Sequence, residues 1–182
     1  MNTPLGRTES LDPPPGVIVE FIQAVVETPW PSGSVDSRNY FERLGCELGP
    51  VSGSDDETLL GMTRGAFVIP RITTANALWA ALDGSLFSFN FFTYADARDT
   101  IAAVDVGYDA VRNGLIGLYG QPRTEQEGPS AYRSAAWAVH DTLIELLPHV
   151  LQAPMLQIGL SHREGNATYE RRIAQTADAP KA

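Results

Sequence analysis

Residues 77–119 constrain the fold most, because an apolar hairpin there runs directly into a long amphipathic helix. Asp83-Gly84 separates two apolar runs, and glycine takes the positive φ of a tight hairpin turn at little cost. The second run alternates aromatic and polar residues, which predicts a strand with one buried face. Three rings are predicted to share that face and to form core rather than a ligand site: Phe87, Phe89 and Phe91. Leu86 and Phe92 are predicted on the opposite face.

The helix predicted after this hairpin carries an apolar stripe and, beside it, a strip of small residues. The stripe recurs at spacings of three and four, as on one face of an α-helix: Ile101, Val104, Tyr108, Val111, Leu115 and Leu118. The strip consists of Ala103, Gly107, Ala110 and Gly114. Because a glycine inside a helix costs about 1 kcal/mol relative to alanine, the strip predicts close packing, either on the protein's own sheet or on an element of a partner. Gly120 is predicted to end the helix.

The order of the predicted elements indicates an α+β protein. Two short helices precede a pair of strands joined by Arg64-Gly65 and then the central hairpin. After the long helix come a second hairpin across His140-Asp141, a last strand, and a closing helix capped by Asn166. The strands are too close in sequence for crossover helices. We therefore expect an antiparallel sheet with the long amphipathic helix packed on one face and short helices at both termini.

Length and composition fit a single domain. The chain has 182 residues, and we expect a domain over residues 13–176 between a flexible N-terminal arm (1–12) and a flexible C-terminal tail (177–182). Cys46 is the only cysteine, so we expect no internal disulfide and a buried, unreactive thiol. The N-terminus lacks the pattern of a signal peptide, and no run reaches the ~20 apolar residues of a membrane span. We therefore expect a cytoplasmic protein with no membrane contact.

The net charge of −9 sets the kind of partner to expect. A field of this sign disfavours nucleic acid and anionic lipid, and it favours a basic protein or a cationic ligand. The predicted partner-binding residues are two acidic groups: Asp55, Asp56 and Glu57 in a polar loop, and Asp105 and Asp109 one turn apart on the long helix. An ordinary solvated surface is the other interpretation of both groups. The loop acids lack the later oxygen ligands of a calcium loop.

Sequence motifs of known chemistries are missing. The chain has no Gly-rich phosphate loop that opens a helix, no HExxH and no G-x-S-x-G. His140, Asp141 and His162 form the one alternative acid/base or metal group, and only the three-dimensional fold can assemble it. His149 is predicted at an ordinary surface position. We therefore predict a non-enzymatic protein with no cofactor and no metal ion.

Several short motifs resemble those of certain small actinobacterial proteins encoded near type VII secretion substrates and polymorphic toxins. They are Pro29-Trp30-Pro31, Leu44-Gly45, Gln157-Ile158 and the closing Arg163…Asn166…Tyr169-Glu170. Several neighbours of this kind are immunity factors, including the inhibitor of a mycobacterial NAD-degrading toxin. The resemblance implies an immunity class and carries over no catalytic residues. The element order is also similar to that of type III secretion chaperones.

These observations predict an immunity factor that occludes the active site of a cognate basic toxin domain through its acidic groups. The first alternative is a secretion chaperone that holds a segment of a type VII-type substrate on the sheet or in a helix groove. Such a chaperone predicts an exposed apolar patch. The second alternative is a small-ligand or enzyme domain, which predicts that His140, Asp141 and His162 converge in one pocket.

Overall fold

The structure, a computed structural model, describes residues 11–52, 61–72, 74, 76–95, 97, 100–128, 133–151 and 153–177. Within these residues the chain forms four helices and eight strands. The helices are α1 (Pro15–Glu27), α2 (Ser34–Arg43), α3 (Thr100–Tyr119) and α4 (Arg163–Ala177). The strands are β1 (Glu47–Ser52), β2 (Met62–Val68), β3 (Asn76–Leu82), β4 (Ser85–Thr93), β5 (Thr124–Gln126), β6 (Ser134–Val139), β7 (Thr142–His149) and β8 (Met155–His162). The predicted arm and tail fall almost entirely outside the described residues.

All eight strands belong to one antiparallel sheet, in the order β1-β2-β3-β4-β8-β7-β6-β5. Each half of the sheet is a run of neighbouring strands, and the two halves meet where β4 pairs with β8. The chain passes from one half to the other through α3. The expected α+β class with an antiparallel sheet is confirmed. None of the helices in the described part of the chain is long and apolar enough to cross a membrane.

Two tight turns form the predicted hairpins. Asp83 and Gly84 have φ values of 50° and 80°, so both central residues of the β3–β4 turn are left-handed, which suits the right-handed twist of the flanking strands. His140 adopts a φ of 50° in the turn between β6 and β7. Gly120, with a φ of 80°, follows the end of α3 and donates its N–H to the carbonyl of Ile116 at 2.9 Å. These three predictions are confirmed.

An extra residue in β4 changes which side chains share a face. Ala80 pairs with Ser88, but Ala81 pairs with Leu86, so Phe87 is the inserted residue of a β-bulge. Leu86 therefore packs in the main core, whereas Phe87 joins a separate cluster with Met62, Leu82 and Tyr169. The prediction that Phe87 shares a face with Phe89 and Phe91 is wrong, and so is the placement of Leu86, because strict alternation does not anticipate an inserted residue.

One side of the sheet, which we call the closed face, carries the main core. Phe89, Leu160, Ile144 and Trp137 pair in turn across β4, β8, β7 and β6, so their side chains lie on the same side. Helices α1, α2 and α3 supply the residues that pack against them. Phe89 is fully buried and its ring lies 5.5–6.5 Å from five other aromatic rings, those of Phe21, Trp30, Tyr40, Phe41 and Phe67. The closed face is therefore the source of most of the folding free energy.

Helix α3 contacts α1 and strands β6, β7 and β8, while α2 contacts β1 and β4. The middle of the predicted stripe is buried, but Ile101 and Leu118 at its ends are 50% and 45% exposed. The strip of small residues packs on the protein itself: a Cβ on Gly114 would lie 2.7 Å from Val19 of α1, and one on Gly107 would overlap the ring of Tyr94. Close packing within the protein is confirmed, but it is against α1 and Tyr94 and not against the strands of the sheet, and a partner groove along this strip is wrong.

Three further features of the fold differ from the prediction. Arg64-Gly65 lies inside the continuous strand β2 and not between two strands. The glycine is needed there for packing and not for a turn, because a Cβ on Gly65 would lie 2.6 Å from the ring of Trp79. Helix α4 begins at Arg163 and not after Asn166. The sequence also gave no signal for the two edge strands, β1 and β5, the latter only three exposed residues long.

Candidate partner-binding face

The predicted acidic sites have different outcomes. Asp55, Asp56 and Glu57 lie outside the described residues. Asp105 and Asp109 lie on α3, as predicted, but both are bound by Arg133: its Nη1 is 3.8 Å from Oδ1 of Asp105, and its Nη2 donates a hydrogen bond to Asp109. The guanidinium of Arg133 also lies over the ring of Tyr108, 4.3 Å from its centroid. The protein's own arginine therefore occupies this acidic pair.

Arg112, three residues after Asp109 on the same helix, binds Glu125 of β5 and not the acidic pair. Its Nη2 donates to Oε2 of Glu125 at 2.9 Å, and its Nε donates to Oε1. The hydrogen bond from Arg112 lowers the pKa of Glu125. The outer surface of α3 is thus a network of opposite charges rather than an acidic surface.

The alternative group around the histidines assembles only in part. Asp141 and His162 line one shallow depression together with Arg163 and Glu164. His140 contributes its carbonyl to this region, where it accepts a hydrogen bond from Nη1 of Arg163 at 3.1 Å. Among the described residues there is no group of three or more histidine, cysteine or acidic side chains arranged to hold a metal ion.

His162 has a structural role at the start of α4. Its Nδ1 accepts the backbone N–H of Gly165 at 3.3 Å, as an N-cap side chain does. This explains why the helix begins four residues earlier than a cap at Asn166 predicts. Its ring lies 5.8 Å from that of Trp30. The Nε1 of Trp30 in turn donates to Oγ1 of the buried Thr142 at 2.9 Å, so this corner closes one end of the core.

The opposite side of the sheet, which we call the open face, carries a different set of side chains. Asn90, Gly159 and Glu145 pair in turn across β4, β8 and β7. One step along the same strands, Phe92, Gln157 and Leu147 form the next row on this face. Helix α4 contacts β4 and β8 and covers only part of the open face. The open face thus combines polar and apolar rows within reach of solvent.

A cavity of about 250 Å³ lies between the open face and α4. Its floor includes Asn90, Gly159 and Glu145, and Asn166 and Tyr169 of α4 form its roof. The helix is held down by the ring of Tyr169, 5.1 Å from that of Phe87, and by an ion pair at 2.6 Å between Arg172 and Asp83. The hydrogen bond from Arg172 lowers the pKa of Asp83. Gly165 lets α4 approach closely, because a Cβ there would lie 2.6 Å from that of Phe87.

A second, more apolar cavity of about 500 Å³ adjoins the first along β8. It is lined by Phe92, Pro148, His149, Val150, Leu151, Ala153, Met155 and Gln157. Leu151 is 80% exposed. A chain of hydrogen bonds connects the two cavities: Gln157 pairs its Oε1 with Nε2 of His149 at 2.7 Å, and its Nε2 donates to Oδ1 of Asn90 at 3.3 Å.

The two cavities form one surface, which we call the β8 trough: the open face along β8 from Ser161 to Met155, with the adjoining side chains of β4 and β7. At roughly 3.3 Å per residue, this length accommodates about six residues of an extended chain. The sequence contained one signal for it, since a glycine inside a strand marks a bulge or a close approach, and Gly159 lies in the predicted last strand. No protein-family model, curated protein or solved structure matches the chain.

Proposed function

We propose that this chain is a non-enzymatic binding protein that holds an extended segment of a partner protein in the β8 trough. The observation that carries the proposal is the uncovered apolar end of the trough. Phe92 and Met155 project there from a sheet face that α4 does not cover, and Leu151 is 80% exposed beside them. An exposed apolar patch of this kind marks a site of interaction with another protein, and an extended segment can place its apolar side chains there.

Of the classes predicted from sequence, this geometry supports the secretion chaperone best. A chaperone needs a surface that accepts an unfolded segment, and the trough offers apolar contacts at one end and hydrogen-bonding groups at the other. The chaperone proposal also agrees with the ion pairs that Asp105 and Asp109 form with Arg133, because it does not need these acids to bind a partner. Their role as the contact residues for a basic toxin therefore loses support.

The immunity factor remains the second candidate, and the net charge of −9 favours it. In that case the partner is a folded basic domain, and its affinity falls steeply as salt screens the charges. A partner held as an extended segment makes few charged contacts and depends on the apolar end of the trough, so its affinity is less sensitive to salt. The salt dependence of binding therefore separates the two candidates.

Selection from a displayed library of random hexapeptides on the immobilised chain tests the proposal. We expect enrichment of peptides with apolar residues at alternate positions. The substitution Leu151→Glu should abolish this enrichment, because it places a charge in the apolar end. Ile101→Glu, a change at an exposed residue of α3, is the matched control and should leave it intact. A selection without enrichment, or with enrichment that both variants retain, contradicts the proposal.

A further inference from the structure

We infer that the gap above Gly159 is a subsite for a lysine or arginine side chain of the bound segment. The inference rests on the proposed function, since it assigns a specificity to one position of the β8 trough. Gly159 is flanked on its two sides by Asn90 of β4 and Glu145 of β7, its direct cross-strand neighbours. Because Gly159 has no side chain, the side chains of Asn90 and Glu145 approach each other over it, and the gap is the part of the cavity directly above them.

Two oxygen atoms converge on this space. A Cβ placed on Gly159 would lie 3.0 Å from Oδ1 of Asn90 and 3.5 Å from Oε2 of Glu145. Both atoms accept hydrogen bonds. A group that fills the gap must therefore donate hydrogen bonds. A primary ammonium or a guanidinium supplies several N–H donors at one point.

The orientation of Asn90 is fixed by its neighbours. Its Oδ1 already accepts a hydrogen bond from Nε2 of Gln157 at 3.3 Å, and His149 holds the other end of Gln157. A side-chain carbonyl oxygen has two lone pairs, so Oδ1 can accept a second donor from the gap. The gap thus has a fixed neutral acceptor on one side and a carboxylate on the other.

The local charge favours a cation over a neutral donor. Within the described residues, Glu145 takes part in none of the ion pairs. A hydrogen bond between an ammonium or guanidinium and a carboxylate is about twice as strong as one between neutral groups. Arg64, the cation that lines the same cavity, lies on β2, three strands from β8, or roughly 14 Å at the spacing of neighbouring strands. The subsite that receives the cation and the backbone of Arg64 are therefore at opposite sides of the cavity.

The apolar part of the cavity suits the stem of such a side chain. Leu78 and Phe87 line the cavity together with the ring of Tyr169 in its roof. Long cationic side chains bury their methylene stems against apolar surface and keep the charged head with polar partners. The volume of about 250 Å³ leaves room for one such side chain and little else.

Two blocked hexapeptides test the subsite, each of alternating leucine and serine, with lysine or norleucine at one central position. We expect the lysine peptide to bind about tenfold more tightly by calorimetry, and Glu145→Gln to reduce that preference to less than about twofold. Gly159→Ala should weaken binding of the lysine peptide, because its methyl group fills the gap. Gly117→Ala, in α3 with nothing within 4 Å of the added Cβ, is the matched control and should bind like the parent.

The outcomes separate the subsite from the proposed function. If both peptides bind with equal affinity, the subsite is wrong and the trough remains a peptide-binding surface. If neither peptide binds, both are wrong. If a norleucine peptide with a free N-terminus binds as tightly as the blocked lysine peptide, the gap takes a terminal amine and the side-chain assignment is overturned. Glu145 is an exposed side chain, so its glutamine variant remains informative even if Gly159→Ala unfolds the protein.

Discussion

The two faces of the sheet are built from the same strands, but the closed face forms the main core and the open face lines a cavity. On β4, Phe89 and Phe91 are fully buried in the closed face, whereas the adjacent residues Ser88 and Asn90 line a cavity in the open face. Three helices pack against the first set of side chains, and one helix covers part of the second. The contrast shows how a single strand can supply both buried core and the surface proposed for binding, because successive side chains point to opposite sides.

Truncation of neighbouring residues on β4 gives the largest expected contrast. Phe89→Ala should lower the free energy of unfolding by about 3–5 kcal/mol, because it removes a buried ring at the centre of an aromatic cluster. Ser88→Ala should change it by less than about 0.5 kcal/mol. Denaturant unfolding of both variants measures the difference. Equal losses would show that the open face contributes to stability as the closed face does.

Glycine-to-alanine substitutions on the two faces sharpen the contrast. Gly65→Ala should destabilise the protein by about 1–3 kcal/mol, because the new methyl group meets the ring of Trp79 at 2.6 Å. Gly159→Ala should cost less than about 1 kcal/mol, since its closest contact is one oxygen at the end of the Asn90 side chain, at 3.0 Å, and not a ring or a backbone atom. Thermal unfolding of the two variants measures this. A larger loss for Gly159→Ala would place the gap within the packed core.

Stability at high pH reports on the closed face through Cys46. Burial raises the pKa of its thiol from 9.0 to about 12, and burial also raises the pKa of Tyr40 and Tyr94. Above pH 9 the unfolded chain therefore binds fewer protons than the native chain, so stability falls as pH rises from 9 towards 12. The slope from one thiol is at most about 1.4 kcal/mol per pH unit. Cys46→Ala should flatten the curve between pH 9 and 10, and an unchanged slope would contradict this cause.

Arg133 gives the smallest expected effect and tests the outer surface of α3. Arg133→Gln should cost about 1 kcal/mol, because its ion pairs with Asp105 and Asp109 lie at the surface and remain partly exposed to solvent. The variant should also leave the carboxylates of Asp105 and Asp109 without the positive charge of Arg133. If it gains affinity for a cationic protein while the parent has none, this surface is a binding site controlled by Arg133. Titration against lysozyme at low salt measures the change.

The sequence predicts the local elements of this fold well. The Asp83-Gly84 and His140-Asp141 turns, the helix that ends at Gly120 and the buried Cys46 each depend on residues close together in the chain. Turn and cap signals act over a few positions, so the sequence is sufficient to read them.

The candidate site required information that is not local. Gly159 and Glu145 are recognisable in the sequence, but their position beside Asn90 depends on the pairing of β4 with β8, about seventy residues apart in the chain. The sequence correctly predicts Asp105 and Asp109 on α3, but the arginine that binds them, Arg133, lies directly before β6 and is not visible as their partner in the sequence. The sequence shows the residue types of the candidate site, but it does not show which residues the fold brings beside them.

The β-bulge at Phe87 separates the attachment of α4 from the packing of the core. Without the inserted residue, Phe87 would follow Phe89 into the closed face, and the ring of Tyr169 would lose its contact. Because the described contacts of α4 are with the open side of the sheet, the helix can open as a local unit while the strands stay paired. In amide hydrogen exchange, the N–H groups of α4 should therefore lose protection well before those of β4 and β8. On the proposed function, one added residue thus gives the cavity a helical cover whose local opening would admit a segment larger than the closed volume.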